Sequence, residues 1–167
     1  MTDRAKAEMI PYDVFCELRE AVFPTDRAKG APSERSFVKG DSEALLIKQV
    51  LEVATKEYGA KKDARLSFLD ASGGTGLPAL QALACDRRVA SATSIEVLPV
   101  RSEEAATIKK KFVALLETRG YKAVAKKVNG CLTIATGDCR DETKCRAPRP
   151  VIFFFRRARH HLFPRLL

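Results

Sequence analysis

Three observations predict an α/β fold, a doubly wound and mostly parallel sheet with helices packed on it. Short apolar runs that read as strands alternate with longer stretches of helical periodicity. One strand, ending at Asp70, runs into a glycine-rich turn and then a helix. Acids recur where strands end, at Asp70, Glu96 and Asp138. In a parallel sheet those ends share one edge, so residues far apart in sequence meet in one groove. Right-handed crossovers predict the strand order 3-2-1-4, with a ligand crevice beside strand one, where the order reverses.

The elements follow in order. Residues 12–22 form a short amphipathic helix with Phe15, Leu18 and Val22 on one side, ended by Phe23-Pro24-Thr25. Residues 26–39 are rich in Lys, Arg, Gly, Pro and Ser and read as a loop. Its length suits a lid or a partner-binding segment, and equally a flexible connector. Asp41 or Ser42 is expected to cap a helix over 43–58 that Gly59 ends, with Leu46, Val50, Val53 and Ala54 facing inward. Leu66, Phe68 and Leu69 make a strand buried on both faces. Residues 77–85 are the next helix, and 92–97 the second strand. A long helix over 101–119 turns Ile108, Phe112 and Leu115 or Leu116 inward and closes at Gly120. Residues 121–128 read as strand-like or irregular, 131–135 as the third strand and 151–155 as the fourth.

The stretch from Asp70 to Ala79 carries the chemistry. Gly73, Gly74 and Gly76 permit a sharp turn and let backbone approach a ligand closely. Pro78 falls in the first helical turn, where its missing N–H costs nothing. The free N–H groups there suit a carboxylate or a phosphate. Two ligands fit. Gly74-x-Gly76-x-x-Ala79, with Glu96 about 20 residues on, satisfies the loose dinucleotide fingerprint of NAD-binding proteins. S-adenosylmethionine fits better because of Asp70. A carboxylate before the glycines would face a pyrophosphate, whereas it can hold an ammonium group. Glu96 is then placed to accept from two ribose hydroxyls, and Asp138 from an exocyclic adenine amine. Taken singly, each acid is more often a turn or cap residue than a ligand contact.

Composition sets bounds. The 167 residues suffice for one domain with a proper core. The net charge of +9 is uneven, because residues 139–167 hold eight Arg or Lys against Asp141 and Glu142. Such a surface favours nucleic acid, chromatin or an acidic membrane, or it is a solubilising tail. Five scattered cysteines, Cys16, Cys85, Cys131, Cys139 and Cys145, lack CxxC spacing. They argue for a reducing compartment and against a disulfide framework or a zinc site. Residues 1–10 are charged and carry no apolar signal region, and no apolar run approaches membrane-spanning length. A soluble, intracellular protein is expected. His160 and His161 read as surface residues, and Phe153 to Phe155 as core or sheet edge.

Lys39-Gly40-Asp41-Ser42, Asp70-Ala-Ser-Gly-Gly-Thr-Gly76, Glu96, Gly137-Asp138 and Val151-Ile-Phe together resemble the disruptor-of-telomeric-silencing family. These are class I, SET-less histone-lysine methyltransferases that act on nucleosomes. The likeness runs from about Phe15 to Phe155 and implies a Rossmann-like class I methyltransferase fold with a helical N-terminal segment. It implies S-adenosyl-L-methionine as cofactor, a nucleosome or histone as partner, and the nucleus as location. Lys39, Gly40, Asp41 and Ser42 would close over the methionine end of the cofactor. Asp70, Ser72, Gly73, Gly74, Gly76 and Leu77 would form the glycine loop. Glu96 would take the ribose, and Asp138 with Cys139 the adenine. The implied division is a helix and lid-like loop over 1–40, a cofactor domain over 41–155 and a basic tail over 156–167 that could touch DNA.

The sequence departs from the family at informative places. Ser72 replaces the loop's first glycine, Lys39 stands for a tyrosine, Asp41 for a glutamate and Cys139 for an aromatic. After strand four the family has Asn-Asn-Phe at the methyl-transfer site, and here Phe155 is followed by Arg156-Arg157-Ala158. The family's later strands, which wall the lysine channel, have no counterpart. Cofactor binding with little or no turnover is therefore the expectation, and no catalytic residue is assigned. A class I methyltransferase acting on RNA or a small molecule, a non-catalytic chromatin-binding remnant and an NAD-dependent oxidoreductase are the alternatives.

Overall fold

The computed structural model describes residues 7–23, 40–57, 65–141 and 151–154; of residues 40–43, 55, 57 and 151–154 it describes the backbone alone. The 26–39 loop, Lys39, Gly59, Cys145 and the 156–167 tail lie outside the described residues. The elements are α1 (Tyr12–Val22), α2 (Gly40–Glu57), β1 (Leu66–Asp70), α3 (Leu77–Cys85), β2 (Val89–Glu96), α4 (Pro99–Thr118), α5 (Lys122–Cys131), β3 (Leu132–Thr136) and β4 (Val151–Phe154). The architecture is α/β, with a four-stranded sheet in the order β3-β2-β1-β4. Every strand pair is parallel. At this coarse level it is Rossmann-like.

All five residues of β1 are buried, as expected of a central strand covered on both faces. The register pairs Phe68 with Ala92 and Asp70 with Ser94, after an irregularity at Leu66/Ser67. From β1 to β2 to β3 the chain steps one strand at a time in the same direction, and crossovers of one hand put α3, α4 and α5 on one face of the sheet. α3 is buried over Ala79, Leu80, Gln81, Ala82, Leu83 and Ala84, so it behaves as a core helix rather than a surface one. Its buried Gln81 is satisfied by donating to Ala44 O of α2 at 2.6 Å, which ties those helices together.

The N-terminal helix belongs to the same core. Phe15, Leu18 and Val22 are buried, as their spacing predicts. The Phe15 ring meets Phe112 of α4 at 5.5 Å between centroids and a tilt of 53°, a favourable aromatic geometry. Ile10 N–H donates to Ala84 O at 2.9 Å and pins the segment before α1 to the end of α3.

Three expectations change. α2 already starts at Gly40, so Asp41 and Ser42 lie inside its first turn instead of capping it. Its inward face is Ala44, Ile47 and Leu51; Leu46 and Val53, expected inside, are 44% and 56% exposed. The helix carries two apolar stripes, and packing on α3 selects the one with small Ala44 against Gln81. Residues 121–128 read as strand-like or irregular, and instead 122–131 form α5, with β3 starting one residue later than the expected 131. Val124, Ala125 and Val128 recur at helical spacing and are buried against α3 and α4. Where α5 passes into β3, Lys109 Nζ donates to Asn129 O at 2.9 Å and Leu132 O at 2.7 Å. No described helix is long and apolar enough to cross a membrane.

Candidate functional site

The site forms at the carboxyl ends of β1, β2 and β3. β1 delivers Asp70, and residues 71–76 turn the chain back into α3. Gly76 N–H donates to Gly73 O at 2.6 Å to close that turn. Gly76 then takes φ +73°, a left-handed conformation that strains any residue with a side chain. α3 starts at the next residue with Pro78 in its first turn, and no side chain caps its N–H groups. Those donors remain for an anionic group.

The loop is strapped to β2. Gly73 N–H donates to Ile95 O at 2.8 Å, and Gly74 N–H donates to Glu96 Oε2 at 2.8 Å. The other carboxylate oxygen, Oε1, accepts from Leu98 N–H at 3.0 Å. Glu96 O in turn accepts from Gly137 N–H at 2.9 Å, past the end of β3. The buried Glu96 thus holds three strand-end segments in place, and each carboxylate oxygen keeps a further lone pair for a ligand hydroxyl.

Close approach explains Gly73. A Cβ built there would lie 1.9 Å from Ser94 Oγ, 3.1 Å from Ser94 Cβ and 3.2 Å from Ile95 N. Gly73→Ala is expected to cost about 1–3 kcal/mol, the usual range for overpacking. Most of that loss should return in a Ser94→Gly background, because Ser94 supplies the two nearest atoms. Urea unfolding of the four variants checks it; equal losses with and without Ser94 would show that the loop moves as a unit.

Asp70 is 1% exposed. Its Oδ1 accepts from Ser72 N–H at 3.2 Å, while Oδ2 is buried with no hydrogen-bond partner. Burial pushes its pKa up to about 7, the Ser72 N–H lowers it in part, and the charge of Glu96 raises it further. Ser94, the register partner of Asp70 on β2, is also 1% exposed with an unpartnered Oγ. Two adjacent buried polar atoms without partners are uncommon in folded proteins. They mark a place where a polar ligand group fits.

The remaining candidates are spread around this centre. Asp138 lies two residues beyond β3, and its side chain is 41% exposed. It is bound by the Arg140 guanidinium and by Arg140 N–H at 2.9 Å. Cys139 is half-buried. Gly40, Asp41 and Ser42 sit in the first turn of α2. Ser72 is exposed and holds Asp70 through its backbone, and Leu77 packs partly against the core.

Sequence reasoning missed Ser94, Leu98 and Arg140. The alternation of β2 does place Ser94 on the face of Glu96, two residues away. The contacts of Leu98 and Arg140 carry no pattern that could announce them. A separate cavity of about 480 Å³ opens at the opposite, amino-terminal edge of the sheet, between Tyr12, Lys48, Cys85 and Arg88. Its Lys48 pairs with Glu52 and its Arg88 with Asp86. Among the described residues no cluster of His, Cys, Asp or Glu could hold a metal ion. Comparison with protein-family models finds no match, and neither curated proteins nor solved structures yield one.

Proposed function

We propose that this chain binds S-adenosyl-L-methionine as a class I methyltransferase-type domain, of the kind the resemblance to nucleosomal histone-lysine methyltransferases implies. One observation carries the reading: a buried carboxyl group with a vacant acceptor oxygen stands immediately before the glycine loop. A dinucleotide would bring its pyrophosphate towards that loop, and Asp70 would oppose it. An α-ammonium group supplies the donor and the charge that Asp70 lacks.

The other residues fit the rest of such a ligand. The uncapped start of α3 suits the ligand carboxylate. Glu96, held in place by Gly74 and Leu98, has acceptor capacity for the ribose. Gly73 and Gly76 let the loop pack closely on Ser94, Ile134 and Ala105, which holds it beside Asp70. When bound, the cofactor supplies an activated methyl group, and the protein's part is alignment of the acceptor. Histone lysine as acceptor, chromatin as partner and the nucleus as location rest on the resemblance, and DNA contact through residues 156–167 rests on their basic charge. Low turnover rests on the resemblance, from Arg156-Arg157 following β4.

Calorimetry with S-adenosylhomocysteine and with NAD on the purified chain tests the proposal. S-adenosylhomocysteine should bind, and NAD should not. Glu96→Ala should weaken binding by about 1–3 kcal/mol, and Glu96→Gln, which keeps one acceptor oxygen, by less. Binding of NAD alone would reverse the assignment. A Glu96→Ala protein with unchanged affinity would remove Glu96 from the ligand site.

A further inference from the structure

We infer that Asp70 selects ligands bearing a protonated amine by exchanging its own proton for that amine, so that each ligand bound releases one proton. This rests on the proposed cofactor reading and adds to it a chemical criterion for what the crevice accepts.

The argument starts from geometry. Asp70 offers Oδ1 to one backbone N–H, and Oδ2 to nothing. A buried carboxylate with one weak donor is poorly stabilised, and the cheapest remedy in an empty site is to keep the proton. Among the described residues no cation acts on Asp70 to change this. β2 brings the Ser94 hydroxyl and the Glu96 carboxylate, which disfavours a second negative charge. β4, paired with β1 on its other side, contributes Val151, Ile152, Phe153 and Phe154, none ionisable. α3 has no ionisable residue before Cys85, at its far end. α4 carries Arg101, Glu103 and Glu104 in its first turns, and none of them moves the titration of Asp70. α2 begins with Asp41 and Glu43, two further acids in its sequence. The empty site therefore holds Asp70 neutral through slightly acidic pH, in line with its raised pKa.

An incoming ammonium changes the balance. Its N–H donates to Oδ2, its charge favours the carboxylate, and the carboxylic-acid O–H bond breaks heterolytically. The proton passes to buffer, the electron pair stays on Asp70, and no redox partner is needed. Ligands without the amine leave Asp70 protonated and release nothing. Ser94 Oγ, beside Asp70 in register, is a second acceptor for the same donor group.

The test is calorimetry with two probes, S-adenosylhomocysteine and 5′-methylthioadenosine, which lacks the amino-acid end. Titrations run at pH 5.5, 6.2 and 7, where an α-amine stays protonated, each in two buffers of different ionisation heat. S-adenosylhomocysteine should bind about 15-fold more weakly at pH 5.5 than at pH 7. It should release close to one proton per ligand at the lower pH. Methylthioadenosine should show neither effect. Asp70→Asn should abolish the pH dependence and the proton release, and its urea unfolding at pH 4 should match that of the wild type, which excludes a folding defect. S-adenosylhomocysteine binding with equal affinity at both pH values and no proton release overturns the inference and leaves the cofactor reading standing. Absence of binding by both probes overturns both.

Discussion

Asp70→Asn should stabilise the ligand-free protein at pH 8 and leave it nearly unchanged at pH 4. The folded protein raises the Asp70 pKa from 3.8 to about 7, chiefly by burial. Below pH 4 the folded and unfolded chains both hold the proton, so the group contributes no difference. Between pH 4 and pH 7 the unfolded chain has lost the proton and the folded one has kept it. Stability contributed by the wild-type side chain therefore falls as pH rises through this window, and levels off above 7. The whole shift corresponds to about 4 kcal/mol, at 1.36 kcal/mol per pKa unit. Asn has the same shape and no charge, so it escapes that loss. Urea unfolding of both proteins at pH 4, 6 and 8 measures it. The advantage of Asn should grow from pH 4 to pH 8; a constant difference would show that Asp70 titrates normally.

Phe112→Ala should destabilise the protein by about 3–5 kcal/mol, a large share of the total stability of a domain of this size. Phe112 is fully buried at the centre of α4 and carries the tilted contact to Phe15. Truncation removes the apolar area and leaves a cavity between two helices that cannot close without moving α1. The denaturant midpoint should fall with little change in slope. Phe15→Ala should act in the same direction, and the double variant should lose less than the sum, because the two rings share one contact. Val100→Ala, at a residue 76% exposed, is the control and should stay within about 0.5 kcal/mol. A loss below 1 kcal/mol for Phe112→Ala would mean that α1 is not docked on α4 in solution.

Much of the architecture was legible in local chemistry. The apolar run before Asp70, the glycines after it and Pro78 define strand, turn and helix within one short stretch, because each residue acts on its own backbone. The strand order follows from alternation of strands and helices and from the handedness of crossovers, which are properties of the chain itself. The helical spacing of Phe15, Leu18 and Val22 was unambiguous because the opposite face of α1 is polar.

What tertiary structure decided is of another kind. α2 has two apolar stripes, and only the shape of α3 decides which one is covered. In α5 two of the three buried residues, Val124 and Val128, are β-branched and the apolar pattern is short, so the sequence leaves strand and helix both open and packing on α3 and α4 decides for the helix. The acids of the site were visible as residue types at strand ends, and their states were not. Glu96 is held by Gly74 and Leu98, Asp138 by Arg140, and Asp70 keeps one oxygen unpartnered. Charge and hydrogen-bond vacancy depend on what surrounds a group in space, through desolvation and through neighbours brought from other strands. Sequence could therefore name Asp70 as a carboxylate before a glycine loop, and only the packed sheet shows it as a buried carboxyl group with one oxygen unpartnered and a raised pKa.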